Sequence, residues 1–365
     1  LKHECVLCAF QKECADTTIF LYAANPILRQ IVETQFRDLG VAFEFDHGLF
    51  RLDTSQSLAL EGLRKRLSEA ERADIRVSRE RGAGLLAALP LDEYARGLDS
   101  AWFEEALRRD TFTTFFQPIV DTRTSNAFAH ECLIRLFADR PYTGGEIIDA
   151  AFARGSIHLF DAYARRLSIR KAGQQFIPGT KVFINFMPSS IYDPAFCMAS
   201  TLEEMSKTIL KPADIVFEVV ESDEVRDVKH LQKICDYYRK EGFGFALDDV
   251  GTGTSSLQMA CDLKPDYVKL DKSLISKMNE PMYRSMVEKM GEFANGSGIQ
   301  VIGEGVENAE TAEMLHSAGI HLMQGWHFGK PAAQMLSQIS RDLVQLESVT
   351  TPEAPMRKLG DVIPR

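Results

Sequence analysis

At 365 residues, 45% of them hydrophobic and 26% charged, the chain has the composition of an ordinary folded protein and not of a disordered one. A prior of roughly 150 residues per domain gives two domains, one of which can be a larger barrel. The formal net charge of −10 disfavours binding to duplex nucleic acid, and the longest apolar stretch, GLLAALPL at 84–91, falls short of the roughly 18 residues a membrane span needs.

Residues 1–15 bring together His3, Cys5, Cys8 and Cys14. The two-residue gap between Cys5 and Cys8 is one that zinc sites use, whereas the step to Cys14 is less typical, so a Cys₃His Zn²⁺ site and reduced structural or exposed redox-active thiols stand as alternatives. The other cysteines, at 132, 197, 235 and 261, are scattered. An odd count without a framework predicts a reducing, cytoplasmic setting.

Residues 16–80 read as a small α/β domain. TTIFLYA at 17–23 is strand-like, and Asn25-Pro26 supplies an N-cap and a first-turn proline. Ile27, Leu28, Ile31, Val32, Phe36 and Leu39 then follow at helical spacing up to Gly40. VAFEF and LFRL flank Asp46-His47-Gly48 as a hairpin, and Leu60, Leu63, Leu67 and Ala70 mark a second helix before ADIRV. The order is βαββαβ, the ferredoxin-like arrangement, which by itself says little about function. Charged, glycine-containing SRERGAG leads into a linker over 81–98.

The second domain, 99–346, carries eight strand candidates: FFQPIV, ECLIRL, KVFINF, IVFEVV, GFALDD, YVKLD, IQVIGE and HLMQGW. Most are separated by enough chain for a crossover helix, which predicts a TIM-like (β/α)8 barrel. The first two are joined by DTRTSNAFAH alone, too short for a parallel crossover. The first strand is therefore predicted to run antiparallel to the second. The segment 347–365, with three prolines and no periodicity, is expected to be a flexible tail.

Glu131, Glu218, Glu221, Asp248, Asp249 and Glu304 all fall where a strand hands over to a loop. A single acid is usually a solvated surface group; the joint placement is what suggests a metal-binding mouth. Carboxylate oxygens suit Mg²⁺ or Mn²⁺, whereas zinc would recruit His or Cys. Residues 1–98 hold 15 acids and 13 Lys or Arg, so most of the negative charge lies in the second domain, and an anionic substrate there requires bound cations. Two cations roughly 3.5 to 4 Å apart can activate a shared water, so the pattern predicts a metal-dependent phosphodiesterase. Adjacent Asp248 and Asp249 can both serve only if the strand ends between them, since alternation otherwise sends them to opposite faces. Three features point nowhere further. Cys132 reads as a small buried hydrophobe, the GTG loop lacks the Lys of a Walker motif, and His130 does not extend to a His-Glu-x-x-His site.

Eight motifs in order give a family resemblance: QPIV at 117–120, ECL at 131–133 with Arg135, INF at 184–186, EVVES at 218–222, DDVGTGTSSL at 248–257, VKLD at 268–271, GEGVE at 303–307 and QGWHFGKP at 324–331. Over 99–346 the chain resembles the EAL-domain phosphodiesterases of bacterial cyclic di-GMP signalling. The resemblance implies an eight-stranded barrel with one antiparallel strand, hydrolysis of cyclic di-GMP to linear pGpG, and two Mg²⁺ or Mn²⁺ ions. It assigns Glu131, Asn185, Glu218 and Asp248 to the first ion, Asp248 with Asp249 to the second, and Glu304 to a metal-associated position that also serves as general base. Lys269 is placed beside the attacked phosphate. Gln117, Leu133 and Arg135 are implied substrate contacts, Gln324 a residue at the site rim, and Glu221, Asp271 and Glu307 acids that steady the glycine loop and metal site. A homodimer is also expected, with the N-terminal module controlling the barrel or docking a protein partner. Cys132, Val250, Thr254 and Gly303 depart from the family pattern without removing a ligand, and 137–160 departs more strongly. That last segment keeps open the alternative of a catalytically silent module that senses cyclic di-GMP or binds a protein.

Overall fold

The computed structural model describes residues 18–46, 48–53, 58–78, 88–92, 94–95, 100–138, 140–220, 228–251 and 256–337. His3, Cys5, Cys8, Cys14, Glu221, Thr254 and the segment 347–365 lie outside the described residues. The chain divides into two compact units, Leu1–Phe112 with Leu136–Ile157, and Thr113–Arg135 with His158–Arg365.

In the first unit the expected order is found as β1 (Thr18–Ala23), a helix over Pro26–Asp38, β2 (Glu44–Asp46), β3 (Leu49–Asp53) and β4 (Ile75–Ser78). Asn25 starts the first helix by accepting a hydrogen bond from the Leu28 amide at 2.8 Å. The expected second helix is two, Leu58–Arg66 and Glu69–Ala73, because Ser68 forms a capping box with Glu71 and restarts the chain there. The sheet order β2-β3-β1-β4, every neighbour antiparallel, is the split βαβ arrangement. Within 81–98, Leu89–Pro90 adds β5 beside β4, and Leu91 and Tyr94 are buried in this unit's core.

The divergent segment 137–160 also begins in this unit. After β8 (Pro141–Tyr142), Thr143 caps a helix over Gly144–Ala153. Trp102, on the helix Ala101–Arg108, lies against Tyr142 with ring centroids 4.0 Å apart, and Arg154 pairs with Glu104 at 2.7 Å.

All eight barrel strands form: β6 (Phe112–Asp121), β7 (Asn126–Phe137), β9 (Lys181–Asn185), β10 (Ile215–Val220), β11 (Gly244–Val250), β12 (Tyr267–Leu270), β13 (Gln300–Gly303) and β14 (Leu322–Gln324). They pair in the order β6-β14-β13-β12-β11-β10-β9-β7, and β6 with β7 closes the ring. Pairings from β7–β9 round to β13–β14 are parallel, whereas β14–β6 is antiparallel. The short connection after β6 thus leads to the reversed strand it predicts. Each strand sends one residue into a packed inner layer, made of Ile119, Ala129, Phe183, Val216, Ala246, Tyr267, Ile302 and Leu322. That layer seals the barrel and provides the floor of what lies above it.

Candidate functional site

Side chains on a strand return to the same face every second residue. Two residues beyond the inner layer, toward the C-terminal ends of the parallel strands, stand Glu131, Asn185, Glu218, Asp248, Lys269, Glu304 and Gln324. On reversed β6 the matching step runs backward from Ile119 to Gln117. One period-2 step therefore replaces an apolar layer by a polar one.

Lys269 is fully buried at the centre of this layer. Its Nζ lies 2.7 Å from Glu304 Oε1, 3.2 Å from Asp248 Oδ1, 3.3 Å from Glu218 Oε1 and 3.5 Å from Glu131 Oε2. Asn185 Nδ2 donates to Glu131 Oε1 at 3.1 Å and Gln324 Nε2 to Glu131 Oε2 at 2.6 Å, so Glu131 is held from both sides. Glu131, Glu218 and Asp248 each place an oxygen within 4.8 Å of the others, and so do Asp248, Asp249 and Glu304.

Two expectations are corrected here. β11 does not end between Asp248 and Asp249 but runs on to Val250; the register against β12 shifts by one residue between Leu247 and Val250, and Asp249 has φ +54°. This β-bulge, with its left-handed residue, lets both acids reach one side. Gln324 is not at the rim: it is 4% exposed and sits directly on Glu131.

The remaining expected residues lie around this cluster. Gln117 donates to the Gly329 carbonyl at 3.3 Å, half-buried Arg135 donates to the Ile134 carbonyl at 2.8 Å, and Leu133 is half-buried on the same strand. Asp271 caps the short helix Lys272–Ile275, and Glu307 pairs with Lys272 at the exposed edge. Cys132 is buried with its thiol pushed well up by burial, which suits the hydrophobe it was expected to be. At Gly303 Leu315 takes the space a side chain would need: an added Cβ would sit 2.7 Å from Leu315 Cδ1.

The family profile of the EAL domain matches residues 100–331. The chain belongs to the EAL domain family. Among curated relatives, the probable cyclic di-GMP phosphodiesterase PdeG of Escherichia coli (strain K12) is 31% identical over 260 residues, 67% of this chain and 50% of that protein. The cyclic di-GMP phosphodiesterase RocR of Pseudomonas aeruginosa is 26% identical over 321 residues, 84% of this chain and 75% of that protein. A solved standalone EAL protein from Vibrio cholerae O395, in its c-di-GMP bound form, shares 32% identity with a TM-score of 0.59, covering 64% of this chain and 97% of that one. The chain spans half or less of the length of the first curated relatives it matches.

The electrostatics of this EAL mouth test whether cations fit it. Five carboxylates surround one ammonium in a site largely closed to water. Burial pushes Glu218 and Asp248 up, raises Asp249 to about 6 with Asp248 and Asp271 alongside, and lifts Glu304 to about 8 against the pull of Lys269. Burial also works to lower Lys269, but the carboxylates of Asp248, Glu131, Glu218 and Glu304 outweigh it and hold the ammonium charged. Neither oxygen of Glu218, which is fully buried, accepts a hydrogen bond among the described residues. Buried carboxylates left unbonded are costly, and hard divalent cations would complete them, so the donor set fits such ions.

The sequence expectations did not include Asp161 and Arg165, a fully buried pair on the helix Ile157–Gly173. Asp161 Oδ1 accepts from the backbone amide of Met187, two residues past Asn185, at 2.9 Å. The only signal in the sequence is an acid and an arginine four apart in DAYAR, a spacing shared by many surface pairs.

Proposed function

We propose that the chain is a cyclic di-GMP phosphodiesterase that opens one phosphodiester bond to give linear pGpG. What supports this most is the polar layer itself, in which a single buried ammonium faces four carboxylates, three on strands and Glu304 directly after a fourth. Family membership and the names of its relatives point the same way. Glu131, Asn185, Glu218 and Asp248 would hold one Mg²⁺ or Mn²⁺, and Asp248 with Asp249 and Glu304 a second. Such a pair, when bound, supplies a water acidified to neutral pH and neutralises the phosphoryl oxygens.

The chain's own groups do the rest. Lys269, fixed by burial, sets a permanent positive charge beside the negative charge that develops on the phosphorus oxygens. Glu304 Oε1 takes the proton of the attacking water, and its bond to Lys269 holds it in place. Asn185 and Gln324 fix both oxygens of Glu131, and Gln117, Leu133 and Arg135 bind the nucleotide. In this reading the small unit regulates the barrel or docks a partner, and the active form is a homodimer.

One observation favours a silent nucleotide-binding module as second reading: 136–157, beginning directly after Arg135, packs with the other unit. Incubating the protein with Mg²⁺ and cyclic di-GMP and resolving nucleotides by chromatography separates the two. The proposal expects pGpG, lost on adding chelator; nucleotide binding without any linear product would establish the silent reading.

A further inference from the structure

Asp161 and Arg165 are 5% and 1% exposed, and Thr201 beside them is fully buried. Asp161 Oδ2 takes two bonds from Arg165, from Nε at 3.1 Å and Nη2 at 3.0 Å. Arg165 Nη1 donates to Thr201 Oγ1 at 3.0 Å on the helix Pro194–Met205. The other carboxylate oxygen, Oδ1, receives the Met187 amide at 2.9 Å. The pair thus ties two helices to the backbone that leaves β9, and the residue between, Phe186, donates its amide to the Glu218 carbonyl at 3.0 Å.

A buried ion pair is a poor source of stability, since well-packed apolar residues of similar volume often do as well or better. Stability alone therefore does not explain its presence. Asn185 stands two residues before Met187 and is the amide that orients Glu131. A polar side chain in a cation site must be held to a fraction of an ångström, and partners behind the ligands set that precision.

We propose that Asp161 is a positioning residue for the EAL site: through the Met187 amide it fixes the β9 exit, and with it Asn185 against Glu131, while Arg165 and Thr201 hold Asp161 in place. The inference rests on reading the carboxylate cluster as a cation site. It touches neither substrate nor reacting atoms.

The test compares two double variants that both lack the ion pair. Asp161→Asn with Arg165→Met keeps an acceptor for the Met187 amide, whereas Asp161→Ala with Arg165→Met removes it. Mn²⁺ affinity is measured by electron paramagnetic resonance, stability by thermal melting. The alanine pair should bind Mn²⁺ about 10- to 100-fold more weakly than the asparagine pair. The two should nonetheless melt close together, because each leaves one buried donor unpaired, the Met187 N–H in the alanine pair and the side-chain NH2 in the asparagine pair. Equal Mn²⁺ affinity in the two would overturn the proposal. Should either double variant not fold, Thr201→Val loosens the same clamp and must weaken Mn²⁺ binding by a smaller factor; no change there also overturns it. Glu218→Gln is the control for the cluster. If Mn²⁺ affinity ignores that substitution, the cation reading fails, and hydrogen exchange of the Met187 amide decides the positioning claim: it must speed up in the alanine pair alone.

Discussion

The two sheets of this protein spend their polar residues differently. In the small unit, β1 alternates half-buried and buried residues along its length, and charged pairs such as Arg64–Glu61 and Arg51–Glu44 lie at or near the surface. Such pairs contribute about 0 to 1 kcal/mol and fix nothing precisely. In the barrel, β12 is buried at every position, yet it carries Lys269. Charge is placed there in spite of its desolvation cost, in the layer directly above the apolar one. Regions that fold by burial alone tolerate loose electrostatics; the barrel mouth holds buried charges that Lys269 and its carboxylates offset in part.

The largest test of this contrast is chemical. Glu304→Gln should lower turnover by about 10² to 10⁴, the range for a positioned base. Lys269→Met should also stop turnover, and it leaves three buried carboxylates and half-buried Glu304 without their ammonium. Removing one partner of a buried charge set costs about 3 to 5 kcal/mol, so its metal-free melting point should fall and Mn²⁺ should recover much of the loss. A Lys269→Met protein that melts like wild type in chelator would show that the cluster is not electrostatically tense.

Next comes the core of the small unit. Phe36 is fully buried and its ring meets Phe43 and Phe50 at centroid distances of 5.6 and 5.7 Å. Phe36→Ala should destabilise that unit by about 3 to 5 kcal/mol while leaving Mn²⁺ affinity unchanged. The equivalent disturbance in the barrel should behave otherwise. Ala246 lies in the inner layer two residues before Asp248, and Ala246→Leu should cost about 1 to 3 kcal/mol by overpacking and weaken Mn²⁺ binding with it. Calorimetric Mn²⁺ titrations of both variants check the pair; equal effects on affinity would erase the distinction drawn here. The smallest effect belongs to a surface device: Ser68→Ala breaks the capping box with Glu71 and should lower stability by about 1 kcal/mol, read by thermal melting.

Most of the site was legible because it follows a local rule. Glu131, Glu218 and Glu304 fall at fixed phase at the ends of apolar strands, and alternation puts them on one face, whereas Lys269 was named only through the family resemblance. Reversed β6 could be read from the brevity of DTRTSNAFAH. What escaped depends on partners far off in sequence. The bulge at Asp249 exists only relative to the register of β12, and the depth of Gln324 is set by Glu131, 193 residues away in sequence. β5 consists of two residues, too few for any period to show. Asp161 looked like one more helix-surface acid, because its burial is decided by Thr201 and Met187, on other elements.

The measurement closest to the central claim is the initial rate of pGpG release as Mn²⁺ is raised from zero at saturating cyclic di-GMP. Two cations held by one carboxylate layer predict no release in excess chelator and a rate that climbs with about the second power of Mn²⁺ at low concentration, flattening once both positions fill. Turnover in excess chelator, or a simple hyperbola saturating with a single ion, would contradict the account.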